Sequence, residues 1–212
     1  MTPEIQGGSA GLVARAKRII VEPKAEWDVI DAEPATVQGV FTGWAVPLAA
    51  IPPVASMIGM LVFGVGFWFV HYRPSIGSAI ATAVTQYIVA LVSVFVLALV
   101  IDALAPSFGG TKSPVQAMKV AAYSMTAAWL AGIFGIIPTL GFLGLIGLYS
   151  FYLLYLGLPK LMKVSPDKEV GYVAAVIVVA IVLYFVAAAV AGAVMGAFIH
   201  PAGPGTISIT GT

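Results

Sequence analysis

The chain of 212 residues is 60% hydrophobic and only 9% charged, with a mean hydropathy of +1.04 and a formal net charge of +1. Soluble proteins are about 45–50% apolar and about 25% charged, so this composition excludes a soluble globular domain and predicts a protein that crosses a membrane several times. Because the sequence has no cysteine, disulfides, thiolate chemistry and cysteine metal sites are excluded as well.

Residues 1–39 are predicted to form a flexible cytoplasmic end followed by two amphipathic helices at the membrane interface. In the first helix, apolar residues with helical spacing lie mostly opposite the basic side chains of Arg15, Lys17 and Arg18. The second, residues 24–33, carries Trp27 and Ile30 on one side. An apolar face, a basic stripe and a tryptophan are typical of an interfacial helix. The alternative is packing against the cytoplasmic ends of the spans, which would bury the same face.

Residues 40–199 are predicted to form five transmembrane helices, and residues 200–212 an outer tail. A hydrocarbon core about 30 Å thick needs about 20 apolar residues per helix. The uncharged stretch from Val120 to Pro159 would be about 60 Å long as one helix, so we divide it at Pro138 into a hairpin. Prolines leave open whether the first span is one kinked helix or a half-helix followed by a span. The predicted spans are about 40–70, 76–101, 114–137, 140–159 and 168–199.

The distribution of basic residues predicts the orientation of these spans. With the N-terminus in the cytoplasm, nine of the ten Lys and Arg residues lie on the cytoplasmic side, and Arg73 alone lies outside. Cytoplasmic loops are enriched in Lys and Arg in this way. The sequence therefore predicts a cytoplasmic N-terminus and an outer C-terminus.

Polar side chains form one stripe on the third predicted span: Gln116, Lys119, Tyr123 and Thr126. Polar groups within a membrane are costly and often mark functional sites. Some residues of the stripe and other side chains on the cytoplasmic side suggest a binding site for a lipid or a partner protein. The candidate site residues are Arg15, Lys17, Arg18, Trp27, Asp102, Lys119, Tyr123, Tyr149, Tyr152 and Tyr155. Alternatively, Lys119 extends to the headgroups and the tyrosines form an interfacial belt. On the first span, Trp44 is expected to lie in an interfacial belt.

Small residues recur on two predicted spans. They are Gly141, Gly144 and Gly147 on the fourth span, and Ala188, Gly192 and Gly196 on the fifth. Such residues let helix backbones approach closely in a membrane. We favour packing within the chain, because four partner helices are present in it, and keep a dimer interface as the alternative.

Enzyme motifs are missing from the sequence. It has no Gly-x-Ser-x-Gly elbow, no His-Glu-x-x-His pair and no glycine-rich phosphate loop followed by Lys. The two histidines, His71 and His200, are predicted to lie outside, where no carboxylate completes a metal site. We therefore predict no catalytic residue, no metal and no cofactor.

Several ordered segments carry a family resemblance. They are Pro23-x-x-Glu26-Trp27, Ala105-Pro106-x-Phe108-Gly109, Ala121-Ala122-Tyr123-Ser124-Met125-Thr126, the Ile137-Pro138 turn, and Tyr152-Leu153-Leu154-Tyr155-Leu156-Gly157-Leu158-Pro159 followed by Leu161-Met162-Lys163. Together they resemble bacterial members of the Yip domain family over about residues 12–190. The resemblance implies five spans, a cytoplasmic N-terminus and, here, a bacterial inner membrane.

Eukaryotic members of that family lie in endoplasmic reticulum and Golgi membranes, associate with Rab-type small GTPases and take part in vesicle traffic. Their longer cytoplasmic N-terminal region has no counterpart here, so the resemblance does not carry small GTPase binding over to this chain. Their Gly-Tyr-x-x-x-Pro pattern is also changed, because Ala122 and Ala127 replace its glycine and proline.

These observations predict a non-enzymatic membrane-organising or scaffold protein that binds membrane lipids, other membrane proteins or a second copy of itself, and no nucleic acid. A small transporter or channel is the alternative, because Gln86, the Tyr123 stripe and the proline-broken first span are typical of solute pathways. A membrane enzyme is the third and weakest hypothesis.

Overall fold

The computed structural model describes residues 9–67, 70–198 and 206–209. The predicted fold class is confirmed, because five helices in this part of the chain are long and apolar enough to cross a membrane. Two short helices, α1 (Ser9–Val21) and α2 (Pro23–Ala32), precede them. The five long helices are α3 (Val37–Phe63), α4 (Ile76–Phe108), α5 (Pro114–Ile136), α6 (Pro138–Met162) and α7 (Glu169–Phe198).

Side-chain caps define where three of the long helices begin. The hydroxyl groups of Thr36, Ser75 and Ser113 accept hydrogen bonds from backbone N–H groups in the first turns of α3, α4 and α5. These first N–H groups have no partner within a helix, so a cap satisfies donors that would otherwise be left unpaired. Pro114 follows its cap at the first helical position, where a missing N–H does no harm.

The first span is one helix rather than a half-helix followed by a span. It includes a π-helical turn at Phe41–Ala45 and accommodates its prolines. Our predicted end at Val70 is wrong. The helix ends at Phe63, because Gly64 adopts a φ of 76° that L side chains rarely adopt.

Among the residues that the structure describes, three short strands form a sheet that the sequence analysis did not predict. β1 (Val65–Phe67) pairs antiparallel with β2 (Val70–Arg73), and β2 pairs antiparallel with β3 (Thr206–Ile209). In the register, Gly66 lies opposite His71, which lies opposite Ser208. Part of the predicted outer tail is thus joined to the connection between the first two spans. Outside the described part of the chain lie residues 1–8 and the rest of the tail, including His200.

The long helices alternate in direction and so divide the molecule into two ends. At one end, the backbone N–H of Thr111 donates a 2.8 Å hydrogen bond to the carbonyl of Met162, which joins the α4–α5 loop to the end of α6. Helices α1 and α2 lie there too, and we name it the basic end: α1, α2 and the loops at residues 109–113 and 163–168. The sheet and the break at Ile137 between α5 and α6 form the opposite end.

Helix α5 lies at the centre, against α3, α4 and α6. It crosses α3 so closely that a Cβ atom on Gly59 would lie 2.4 Å from the carbonyl oxygen of Gly135. At the edge of the bundle, the Tyr172 hydroxyl of α7 donates a 2.5 Å hydrogen bond to the Ile101 carbonyl of α4. The phenol of Tyr172 also stacks on the ring of Phe108, with the centroids 5.2 Å apart.

Candidate functional site

Helix α2 packs against the bundle through the buried indole of Trp27. A Cβ atom on Gly157 of α6 would lie 2.5 Å from this indole, so α2 can approach α6 only because residue 157 is a glycine. On its other side the indole meets the ring of Tyr123 edge to face, with the centroids 6.4 Å apart. This face of α2 is therefore covered by protein, as in the bundle-packed alternative of the sequence analysis.

Lys119 of α5 holds the C-terminal end of α2. Its ammonium group donates hydrogen bonds of 2.7 Å to the carbonyl of Ile30 and 2.6 Å to the carbonyl of Glu33. The last carbonyls of a helix lack intrahelical partners and carry partial negative charge, so a buried cation is favourable there. Lys119 is only 3% exposed. The alternative interpretation, in which Lys119 extends to the headgroups, is therefore wrong.

Arg15 of α1 joins both short helices to α5. Its guanidinium lies 3.2 Å from a carboxylate oxygen of Glu26 and 2.6 Å from one of Glu33, and it donates a 3.1 Å hydrogen bond to the Tyr123 hydroxyl. Burial of Arg15 acts to lower its pKa, but the hydrogen bond to Glu33 and the nearby Tyr123 outweigh this and leave the pKa raised. Arg15 therefore stays charged, and Glu26, itself buried, is paired also with Arg18 at 2.7 Å.

Ion pairs at the surface connect α2 to the end of α6. Lys160 pairs with Asp28, and Lys163 lies 2.5 Å from a carboxylate oxygen of Asp31. The Gln116 amide also donates a 3.2 Å hydrogen bond to Asp31. Exposed pairs contribute about 0–1 kcal/mol each, so they align α2 more than they stabilise it.

The predicted polar stripe of α5 is used for contacts between helices. Gln116, Lys119 and Tyr123 bind α1 and α2, and the hydroxyl of Thr126 accepts a 3.1 Å hydrogen bond from the indole N–H of Trp44. Trp44 is buried against Tyr123, with ring centroids 4.7 Å apart, so its predicted place in an interfacial belt is wrong.

The ten predicted site residues divide into two sets. The structure brings Arg15, Arg18, Trp27, Lys119 and Tyr123 together, and we name this set with Glu26 and Glu33 the docking cluster. The other five lie apart from it. A carboxylate oxygen of Asp102 lies 4.0 Å from the ammonium group of Lys112. The Tyr149 hydroxyl donates a hydrogen bond to the Ile20 carbonyl, and Lys17, Tyr152 and Tyr155 are exposed.

The sequence analysis missed Glu26, Glu33 and Gly157 as members of this interface. The acids are seven residues apart, close to two helical turns, and lie near the face that carries Trp27. That spacing could have indicated that the two acids belong to the interface. Nothing in the sequence indicates the role of Gly157, because it depends on which side chain of α2 reaches α6.

The predicted small-residue positions mostly face away from the bundle. A Cβ atom on Gly147 would lie 3.1 Å from Ala128, whereas Cβ atoms on Gly141, Gly144, Gly192 and Gly196 would meet no described atom within 4 Å. Ala188 is exposed as well. Packing within the described part of the chain, the interpretation we favoured, thus explains only Gly147.

An apolar groove of about 690 Å³ lies between α1, α5 and α6. Its walls include Ile20, Ala127, Leu130, Phe134, Ile146 and Tyr149. The groove is open at the surface, because Ile133 and Ile146 among its lining residues are exposed.

The geometry of the basic end suits attachment of helices better than catalysis. The carboxylates of Glu26 and Glu33 face guanidinium groups, and Lys119 is bound to two carbonyls. Among the described residues, no group of three His, Asp or Glu side chains is arranged to hold a metal ion.

A family model described as the Yip1 domain matches residues 17–199. The chain belongs to the Yip1 domain family. The resemblance inferred from its motifs is thereby confirmed. No curated protein and no solved structure matches the chain.

The Yip1 domain match begins within α1 and runs through all five spans. The whole docking cluster except Arg15 lies inside it. The protein is thus a multi-pass membrane protein of the Yip1 family, and the attachment of α2 to α5 and α6 is part of its Yip1 domain.

Proposed function

We propose that this Yip1 domain protein is a non-enzymatic component of a bacterial inner membrane that organises the membrane or acts as a scaffold, binding lipids and partner membrane proteins. One observation carries the proposal. The charged side chains of the docking cluster pair with one another and with backbone carbonyls, while the groove and α7 leave apolar surface open. Surfaces of that kind recruit lipids and helices rather than convert substrates.

Helix α7 supports the partner-binding part of the proposal. Among the side chains described for α7, those that are buried, Tyr172, Val173 and Val176, lie in its first half. The later seam of Ala188, Gly192 and Gly196 is exposed, and its glycines meet no described atom. A seam of small residues that is open to the membrane suits close approach by a helix of another protein or of a second copy of this chain.

The distribution of charge supports the proposed orientation. Nine of the ten Lys and Arg residues lie in α1, α2 and the segments near the basic end, and Arg73 lies in β2 at the opposite end. Because basic residues accumulate on the cytoplasmic side of membranes, we assign the basic end to the cytoplasm. A reporter fused after β3 should then respond as an outer marker.

Purification in native-lipid particles, followed by mass spectrometry, tests the main proposal. We expect a membrane protein or a defined lipid to co-purify in constant proportion with the chain. A Gly192→Leu variant should lose a protein partner held at the α7 seam, while Ala197→Leu, on another side of α7, should keep it. A bare monomer with neither a bound partner nor a constant lipid content would count against the proposal.

A transporter or channel is the second hypothesis. It is weakened by the contacts of the residues that suggested a solute pathway. Tyr123 binds Arg15, and Tyr87, next to Gln86, donates a 2.9 Å hydrogen bond to the carbonyl of Val46. The remaining support is the π-helical turn of α3 at Phe41–Ala45, since such turns often occur at functional sites. Flux of ions and small solutes into liposomes that contain the protein would favour this hypothesis instead.

A further inference from the structure

Along α5, the apolar groove runs from Ala127, near the middle of the helix, to Phe134, close to the break at Ile137. From Ala127 to Phe134, its α5 wall is about 12 Å long, counting helical rises of about 1.5 and 2.0 Å per residue. On the side that faces α1, the Tyr149 hydroxyl donates a 3.1 Å hydrogen bond to the Ile20 carbonyl and so joins the middle of α6 to α1. An apolar space of this length with one side formed by Ile20 of α1 has the shape of a site for one acyl chain.

On the side of α1 next to the groove, the side chain of Lys17 is placed where it could contact a lipid headgroup. Lys17 lies one helical turn before Ile20, which lines the groove, and is exposed. Arg15 and Arg18 lie on the other flank of α1, where both pair with Glu26. Lys17 forms no ion pair with any carboxylate in the described residues, and no acidic side chain lines the groove.

We propose that the groove binds one acyl chain of an anionic phospholipid and that Lys17 contacts its phosphate headgroup. The inference rests on the proposed lipid-binding function and names the lipid class and the place. Lipid tails are about as apolar as leucine, so the groove contributes shape rather than a hydrophobic gain. Selectivity comes from the charge of Lys17, because one basic residue at a membrane surface favours anionic lipid by about fivefold.

Photo-crosslinking with lipids tests this site directly. The full chain is reconstituted in phosphatidylcholine bilayers that contain a small amount of phosphatidylglycerol with a photoactivatable acyl chain, or the same probe on phosphatidylcholine. Crosslinked residues are located by mass spectrometry. We expect residues 127–134 and 146–149 to be labelled about fivefold more by the anionic probe than by the zwitterionic one.

Two pairs of variants separate the headgroup contact from the acyl-chain contact. Lys17→Gln should remove the preference for the anionic probe, whereas Lys168→Gln, an exposed lysine in the α6–α7 loop, should keep it. Ile146→Trp should fill the groove and reduce labelling by both probes. Leu145→Trp, at the neighbouring exposed position, should leave the labelling unchanged.

The outcomes distinguish this inference from the broader function. Equal labelling of the groove by both probes, or an unchanged preference in Lys17→Gln, would overturn the anionic-lipid site. A preference for anionic lipid that maps only to another surface would overturn the groove and leave the proposed lipid-binding function standing. Purified protein without constant lipid, together with uniform labelling along all the spans, would overturn both. Thermal unfolding of each variant shows whether it is folded, and the exposed positions should change stability by no more than about 0.5 kcal/mol.

Discussion

Helices α5 and α7 show opposite relations between hydropathy and burial. The most apolar stretch of α5 has a mean hydropathy of only 1.2 and is 56% buried, while that of α7 has a hydropathy of 3.0 and is 11% buried. In water the more apolar helix would occupy the interior. In a bilayer the polar groups of α5 need protein partners, whereas the side chains of α7 are solvated by lipid. The less hydrophobic helix is therefore the centre of this fold.

Breaking the close crossing of α3 and α5 should have the largest effect. In Gly59→Ala, the new Cβ would lie 2.4 Å from the Gly135 carbonyl oxygen and 2.9 Å from that of Ile136. Backbone atoms cannot turn aside as a side chain can, so we expect the free energy of unfolding to fall by about 3 kcal/mol. Denaturant unfolding in detergent measures this change.

Gly43→Ala is the matched control for that prediction. Gly43 lies in the same span, and a Cβ there would meet no described atom within 4 Å. Helix propensity alone should then make the variant more stable by up to about 1 kcal/mol. If both alanine variants shift stability in the same direction, the crossing does not depend on Gly59.

Removing the cation at the end of α2 should have the next largest effect. Lys119→Met leaves the carbonyls of Ile30 and Glu33 without their donor, and we expect a loss of about 2–3 kcal/mol. The loss should be local, so limited proteolysis should cut α1 and α2 before the spans unfold. Lys168→Met changes an exposed lysine and should not alter the cleavage pattern. Simultaneous cleavage in the spans would show that Lys119 supports the whole fold.

A smaller effect is expected from the hydroxyl of Tyr123. Tyr123→Phe removes the acceptor of a 3.1 Å hydrogen bond from Arg15 and keeps the ring contacts with Trp27 and Trp44. We expect the free energy of unfolding to fall by about 1 kcal/mol. Tyr184→Phe, at a phenol that is 70% exposed on α7, should change it by less than about 0.5 kcal/mol. Equal effects at both positions would contradict the contrast between α5 and α7.

On the open side of α7, a bulky residue should cause no loss of stability. Gly192→Leu adds a side chain where no described atom lies within 4 Å, so packing should not change and helix propensity alone should make the variant more stable by up to about 1 kcal/mol. Association should change instead, because a bulky residue keeps a partner helix at a distance. Energy transfer between labelled chains in liposomes measures association with a second copy. Ala197→Leu is the control, and loss of association in both variants would show that the seam has no special role.

The sequence predicts the class of this fold well because the bilayer sets the length of each apolar helix. It also identifies Ser113 and Pro114 as the start of α5, since a cap depends only on neighbouring residues. The docking of α2 could not be predicted in the same way. Lys119 and Ile30 are 89 residues apart, and no local spacing indicates that one holds the carbonyl of the other.

The burial of Trp44 illustrates the same limit. A tryptophan in an apolar span is equally suited to an interfacial belt and to the interior, and only the Thr126 hydroxyl on another helix decides between them. The strands were missed because β2 and β3 are short and far apart in the chain, so neither has the repeated alternation that indicates a sheet.

The small sheet imposes an order on the assembly of the protein. β3 follows α7, so it can pair with β2 only after the fifth span has been synthesised and inserted. Until then, β2 presents an unpaired edge between the first two spans. Formation of the β2–β3 ladder therefore links the segment after the last span to the connection between the first two, and it can be completed only after all five spans are in place.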